Sequence, residues 1–253
     1  MIKSNKLFKF KDIKHAFFNS VGGKSQGIYK SLNCGPGSHD KKKDVCNNLK
    51  IVIKKLKTSP KKIFLLNQVH SNKFYYIDSR FKIKNNKFEG DALITDKKNI
   101  PIGVLTADCA PILIHDKNKK MIAAIHAGWK GAYKGIVKNV IKFMIKKGCT
   151  PQDMTAVIGP CIARKNYEVK NDFVKKFLKK DIKTKIFFKR VRNKNYFSLN
   201  KYIYYQLKSL NINIIDIIKK DTFDIKNNFF SARRSISRNE NDYGRNISII
   251  MIN

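Results

Sequence analysis

The chain has 253 residues, 42% of them hydrophobic, which is enough for a buried core and argues against disorder. Its most apolar runs, IGVLT, APILI, MIAAI and SIIMI, fall well short of the roughly 18–20 residues of a membrane helix, so no membrane partner is expected. The net charge of +36 is extreme. Lys, Asn and Ile, all drawn from A/T-rich codons, are abundant together, and the lysines are spread along the whole chain. Clusters such as Lys41–Lys43, Lys54–Lys57 and Lys175–Lys180 therefore read as solvated loops and helix faces.

The basic N-terminal stretch MIKSNKLFKFKDIKH lacks the apolar segment and cleavage site of a signal peptide. Five cysteines, odd in number and without a CxxC pair, read as thiols in a reducing compartment, and a cytoplasmic location is expected. With one Trp and no RNA-binding signature of basic residues with interleaved aromatics, no specific nucleic-acid partner is expected. No linker-like tract or repeat divides the chain, so residues 1–253 are expected to form a single domain.

The first elements are sparse. VGGKSQGIYKSLNCGPGS, residues 21–38, is a turn region rich in glycine and serine. A charged helix follows around Lys41–Lys57. Lys61–His70 reads as a buried strand ending in polar residues, and Asp91–Thr95 as a second short strand. Ile102–Leu105 is a strand that stops at Thr106-Ala107-Asp108-Cys109, where Pro111 breaks the ladder before Ile112–His115 continues. Met121–Ile125 is a buried strand ending at His126-Ala127-Gly128-Trp129.

A helix is predicted next. Ala132, Ile136, Val140 and Met144 recur every fourth residue, with Val137, Ile141 and Ile145 alongside, and Gly148 is its stop. Ala156–Ile158 is a strand leading into Gly159-Pro160-Cys161. Helices are expected at Asn171–Lys180 and at Lys201–Leu210, the latter capped by Asn200. Ile247–Ile252 is a buried strand. Strands and helices alternate, but hairpin-like pairs also occur. This predicts a mixed α/β (α+β) fold, a sandwich of mixed sheet with flanking helices.

Three strand ends carry residues suited to a metal: His70, Cys109 and His126. Thiolate and imidazole are preferred zinc ligands, and three protein ligands leave a fourth position, as in catalytic sites. Taken singly, each is an ordinary core residue type, and the long spacings differ from those of zinc fingers. Gly128, Gly131 and Gly135 around Trp129-Lys130 suggest close backbone approach at a helix start. Phe229-Phe-Ser-Ala-Arg233-Arg234 places two guanidinium forks, suited to phosphate or carboxylate, after an apolar strand. Asp108, beside the thiol, is a candidate acid–base group or ligand-orienting carboxylate, with strand-end capping as the plainer role. Glu168 is a second, weaker acid–base candidate.

The segments NQVHS, GDALIT, TADCAPILI, AAIHAGWKGAYKGI, IGPCI, YEV, DTF and FFSARR, in this order, resemble the YfiH family. That family was long labelled polyphenol oxidase or laccase and is now associated with purine nucleoside phosphorylase activity. The resemblance runs from about Asn19 to the C-terminus. It implies a YfiH-like α/β sandwich and zinc ligands at His70, Cys109 and His126. It also implies phosphorolysis of adenosine, inosine, guanosine and methylthioadenosine, with adenosine deamination as a second activity. Cys109, Asp108 and His126 are then the candidate catalytic residues. Asn67, Gln68, Lys130, Arg233 and Arg234 are the candidate contacts to purine nucleoside and phosphate. Two departures stand out. Asn19-Ser20 replaces the Thr-Arg that usually precedes the Gly-Gly of the N-terminal motif, leaving Lys24 or a neighbouring lysine as a substitute anion contact. Lys130 replaces a frequent arginine.

Three other classes are open to the same residues. Two His and a Cys also suit a copper centre, but a multicopper oxidase needs a cluster of imidazoles, and this chain has five His and no His-x-His. A metal-free hydrolase would use Cys109 as nucleophile and His126 as base. A nucleic-acid module would rest on charge alone.

Overall fold

The computed structural model describes residues 1–57, 60, 62–79 and 88–253. The helices are α1 (Asn5–Phe8), α2 (Lys42–Leu56), α3 (Trp129–Lys134), α4 (Ile136–Lys146), α5 (Asn171–Lys180), α6 (Leu199–Ser209) and α7 (Ala232–Ser237). The strands are β1 (Ile13–Phe17), β2 (Phe74–Ile77), β3 (Ala92–Thr95), β4 (Ile102–Thr106), β5 (Ala110–Asp116), β6 (Met121–Ala127), β7 (Met154–Ile158), β8 (Glu168–Val169), β9 (Phe188–Val191), β10 (Lys194–Phe197), β11 (Ile214–Ile217) and β12 (Asn246–Ile252).

Six strands form one mixed sheet in the order β11-β7-β5-β6-β3-β2, parallel at both edge pairs and antiparallel between. A second sheet, β1-β12-β4, is antiparallel. Side chains alternate across a strand, so each central strand serves two cores. On one face Leu93, Leu113, Ile122 and Val157 meet Phe17, Ile102, Val104 and Ile250 of the second sheet. On the other face Ile94, Ile112, Ala123 and Ile158 meet the apolar stripe of α4, with Ile136, Val140 and Met144, and Ile203 and Leu207 of α6. The outer face of the small sheet, with Ala16, Ile247 and Ile249, is covered by Val52 and Leu56 of α2. The result is a helix–sheet–sheet–helix sandwich. It explains why β5, β6, β7 and β12 read as unbroken apolar runs: both their faces are buried.

Several local expectations are corrected. Pro111 does not break the strand; it sits inside β5 opposite His126, and its carbonyl accepts from the Gly159 N–H. Pairing with β7 begins only at Ile112, so the missing proline N–H falls at the strand end, where no ladder bond is lost. The helix after His126 is two helices. Gly135 at φ 92° ends α3 and opens α4, a conformation that costs glycine little, and the apolar stripe runs on across the break. The sixth helix is capped at Ser198, with Asn200 in its first turn. Of the expected strand Lys61–His70, Lys61 lies outside the described residues. Phe64 and Asn67 make only isolated bridges, because Gln68 turns its side chain onto β4 instead of continuing a ladder. Arg233 and Arg234 follow no strand; Ser231 caps α7 and places both in its first turn.

Candidate metal centre

Three chain segments converge at the ends of β4, β5 and β6. Gln68 donates to the Leu105 carbonyl and accepts from the Leu105 N–H, both at 2.7 Å, so its amide takes the place of a ladder partner two residues before His70. His70 has φ 55°, and its N–H is held by Asp91 Oδ1 at 3.0 Å. Asp108, immediately before Cys109, has φ 82°. A non-glycine residue there costs on the order of 1–3 kcal/mol, so the fold must over-determine it. It does so through the carboxylate. Oδ1 accepts from Thr222 at 2.6 Å; Oδ2 accepts from Ser231 at 2.9 Å and from the Arg233 N–H at 2.7 Å. Burial pushes the Asp108 carboxyl upward despite these donors.

His70, Cys109 and His126 bring one ligand atom each within 4.8 Å of one another. Cys109 Sγ lies 3.7 Å from His70 Nε2, and the two imidazoles meet edge to face at 4.8 Å. A tetrahedral zinc with ordinary bond lengths spaces sulfur and nitrogen by about 3.6 Å, so the Cys109–His70 pair has the spacing of such an ion's ligands, and the chemistry of all three donors suits it. Gly128 makes room for it: a Cβ there would lie 2.7 Å from Cys109 Sγ and 2.8 Å from His70 Cδ2. Asp91 was not foreseen. It is fully buried, and its Oδ1 sits 2.8 Å from His126 Nδ1, which directs Nε2 to the centre. Its Oδ2 accepts from the Ser71 N–H and hydroxyl. Burial alone would raise the Asp91 carboxyl, but the bonds from His126 and Ser71 bring it below the usual range.

Cys109 and His126 polarise each other. Burial pushes the Cys109 thiol up, and the charge and hydrogen bonds of His126 and His70 more than reverse this, to about 7. Burial pulls His126 down, and Cys109 and Asp91 more than reverse that, to about 9. The arrangement therefore favours the thiolate, the form that binds metal. Cys34 and Cys161, buried without such partners, are shifted upward by burial, and so is Cys149.

A cleft of about 360 Å³ opens on the triad. Asn67 and Gln68 line it, as do Pro36, Thr106, Tyr243 and Arg245. Arg245 is the second residue that sequence reasoning missed, since one arginine among 54 basic residues carries no local mark of a cleft. Its guanidinium lies over Tyr243 at 4.7 Å and is steadied by the Tyr243 carbonyl at 2.8 Å and Asp242 at 3.3 Å. Gly35 leaves space for its stem, since a Cβ there would meet Arg245 Cδ at 2.4 Å.

The other candidates lie elsewhere. Arg234 is turned inward onto the carbonyls of Thr222, Phe223 and Phe229. Arg233 donates to the Glu168 carbonyl and lines a neighbouring cleft with Trp129 and Tyr167. Lys130 is exposed on α3, over the Trp129 ring. The Glu168 carboxylate pairs with Lys194 at 3.0 Å. Ser20 ties its loop to the Asn228 carbonyl through both its N–H and its hydroxyl.

Residues 14–253 match the family described as multi-copper polyphenol oxidoreductase laccase. A Rickettsia conorii protein named purine nucleoside phosphorylase is 35% identical over 224 residues, 86% of this chain and 91% of its own. A Haemophilus influenzae protein of the same name is 33% identical over 240 residues, 93% of each chain. Among solved structures, the Neisseria meningitidis protein NMB0706 superposes with a TM-score of 0.85 at 28% identity, covering 96% of this chain and 95% of its own. The Bacillus licheniformis hypothetical protein YfiH does so at 0.88 and 25% identity, covering 97% and 94%. With the match spanning nearly its full length, the chain belongs to the multi-copper polyphenol oxidoreductase laccase family, the YfiH family that its motifs resemble.

Proposed function

We propose that this protein is a zinc-dependent purine nucleoside phosphorylase. Its substrates are adenosine, inosine, guanosine and methylthioadenosine, cleaved with phosphate, and adenosine deamination is a second activity. The observation that carries the reading is the His70–Cys109–His126 set opening on a cleft that also holds Arg245. The two relatives named purine nucleoside phosphorylase, of comparable length, support it.

Phosphorolysis requires an anion held in line with the anomeric carbon of the sugar while the purine departs. Arg245, held by Asp242 and the Tyr243 carbonyl, is the guanidinium that lines the triad cleft and can turn its remaining N–H groups to that anion. It takes the place expected of Arg234, whose side chain is spent on three carbonyls. A zinc ion held by His70, Cys109 and His126 would supply Lewis-acid stabilisation of developing negative charge at its open position. Asp91 keeps His126 in the tautomer that presents Nε2. Asp108, with both oxygens engaged, acts as a positioning residue: it holds the left-handed turn before Cys109 and the start of α7. Asn67 forms wall, and Gln68 shapes the wall through Leu105.

A multicopper oxidase fits less well. Of the five histidines, His15 accepts from the Ser4 N–H, His115 sits at the opposite end of β5 near Asp12, and His39 is on an exposed loop. Among the described residues, His70–Cys109–His126 is the only group of three or more metal-ligating side chains. A Cys–His hydrolase has one observation in its favour, the order Asp91–His126–Cys109. His70 beside the same sulfur favours a ligand set over a nucleophile.

The test is turnover of the four nucleosides by zinc-loaded protein, with and without phosphate. Phosphate-dependent release of free base with ribose 1-phosphate (or its methylthio counterpart) is expected, and inosine from adenosine would reveal the deaminase. No turnover of any purine nucleoside at several phosphate concentrations overturns the reading.

A further inference from the structure

We propose that α3, α4 and α5 together form a binding face for single-stranded nucleic acid, beside the metal centre and independent of the activity assigned to it. Sequence neighbours on α3, Trp129-Lys130 and Tyr133-Lys134, begin an interleaving of rings and cations, and the fold extends it with the lysines of α5. Lys130 lies over the Trp129 ring at 5.7 Å, and Lys176 over the same ring at 5.5 Å. Lys176 also lies over the Tyr133 ring at 5.1 Å, and Lys180 over Tyr133 at 4.2 Å. Cation and ring thus alternate from Lys130 to Lys180, with residues drawn from helices more than 30 positions apart in the chain.

The array joins two concave surfaces. Trp129, Tyr167, Phe173 and Lys176 line a cleft of about 600 Å³. Tyr133, Tyr205, Lys138, Lys142 and Lys180 line another of about 590 Å³. Trp129 and Tyr133 are half-buried, so their rings are held in place yet reachable. Lys134, Lys138 and Lys142 follow one another at four-residue spacing along one wall. Among the described residues, no carboxylate lies within ion-pair distance of these three lysines, nor of Lys130, Lys176 or Lys180. The acids nearby are few: Glu168 is paired with Lys194, Asp181 accepts from the Lys183 N–H, and Asp172 lines the first cleft.

Crowded cations without counter-charges favour a polyanion, and each neutralised phosphate releases counterions. Fixed rings between the cations offer stacking surfaces to unpaired bases, whatever the sequence. A duplex hides its base faces, so the combination points to a single strand. Sequence-selective binding is not implied, because stacking reads no base edges.

The experiment is fluorescence anisotropy with labelled oligo-dT and oligo-rU of about 15 nucleotides, across a salt series. The groove variant is Lys138→Glu/Lys176→Glu/Lys180→Glu. The control is Lys41→Glu/Lys42→Glu/Lys43→Glu, an equal charge change on exposed α2 and its approach. Melting temperature and metal content confirm that each variant is folded. The groove variant should weaken binding at least about tenfold and reduce the log–log salt slope by about 2. The control should change affinity less than about threefold. Tyr133→Leu should weaken binding by about tenfold with an unchanged slope, because stacking carries no counterion term. A matched duplex should bind more weakly than the single strand. Equal losses in groove and control variants, equal binding of duplex and single strand, or no binding by wild type at about 0.1 M salt overturns the proposal.

Discussion

Asp91 Oδ1 and His126 Nδ1 lie 2.8 Å apart across 35 positions of sequence, and this bond sets which imidazole nitrogen faces the thiolate of Cys109. Asp91→Asn keeps the shape but loses the charge that steadies His126. Metal affinity should fall about 10–100-fold, read by competition with a chromophoric chelator. Unchanged affinity would remove Asp91 from the metal centre.

Protein purified without added metal should carry about one zinc per chain, because a thiolate and two imidazoles form three of the four ligands of a tetrahedral site. Cys109→Ala should lose most metal and activity, whereas Cys34→Ala, Cys46→Ala and Cys149→Ala should keep both. Elemental analysis checks this. Stoichiometric copper without zinc, or full zinc and turnover in Cys109→Ala, would refute the assignment.

Gly128→Ala tests the packing of the site without touching a ligand. Its new methyl would meet Cys109 Sγ at 2.7 Å and His70 Cδ2 at 2.8 Å, well inside van der Waals contact. The variant should fold, with a melting temperature lowered by a few degrees, yet bind metal at least about tenfold more weakly. Wild-type metal affinity would mean that the ligands are free to move apart.

Arg245→Gln should raise the KM for phosphate about tenfold or more and leave the metal content intact, since it removes a guanidinium at the cleft. Arg234→Gln should act on stability, lowering the melting temperature, because it strips three carbonyls of a donor. If Arg234→Gln raises the phosphate KM and Arg245→Gln does not, the anion contact belongs to α7.

Stability should fall in mild acid for reasons unrelated to the site. His15 is held down to about 4 by burial, then by Lys3, and burial also lowers His115, beside Asp12 at 3.3 Å. Protonation is easier in the unfolded chain, so stability is full above the ordinary histidine value near 6.5 and declines as pH drops from there toward 4. His15 alone contributes up to about 3 kcal/mol of this decline. Melting temperatures from pH 7 to 4.5 should show the slope, and His15→Asn should flatten it. An equal slope in the variant would place the acid sensitivity elsewhere.

The sequence by itself determined the elements whose cause is local or periodic. β5, β6, β7 and β12 were legible as apolar runs, α5 was read with its observed bounds, and the stripe Ala132, Ile136, Val140, Met144 marked the helices behind the sheet. The grouping of His70, Cys109 and His126 was legible too, because thiolate and imidazole at strand ends are chemically conspicuous and the motifs around them are distinctive. Only the tertiary structure decided what each side chain touches. Arg233 and Arg234 are neighbours of one type, yet one lines a cleft and the other is spent on carbonyls, a difference set by the helical turn that Ser231 caps. Asp91, Arg245 and the alternation of Lys176 with Trp129 and Tyr133 depend on contacts between segments far apart in the chain. Local pattern carries no record of such partners, because they are set by the packing of segments distant in the chain.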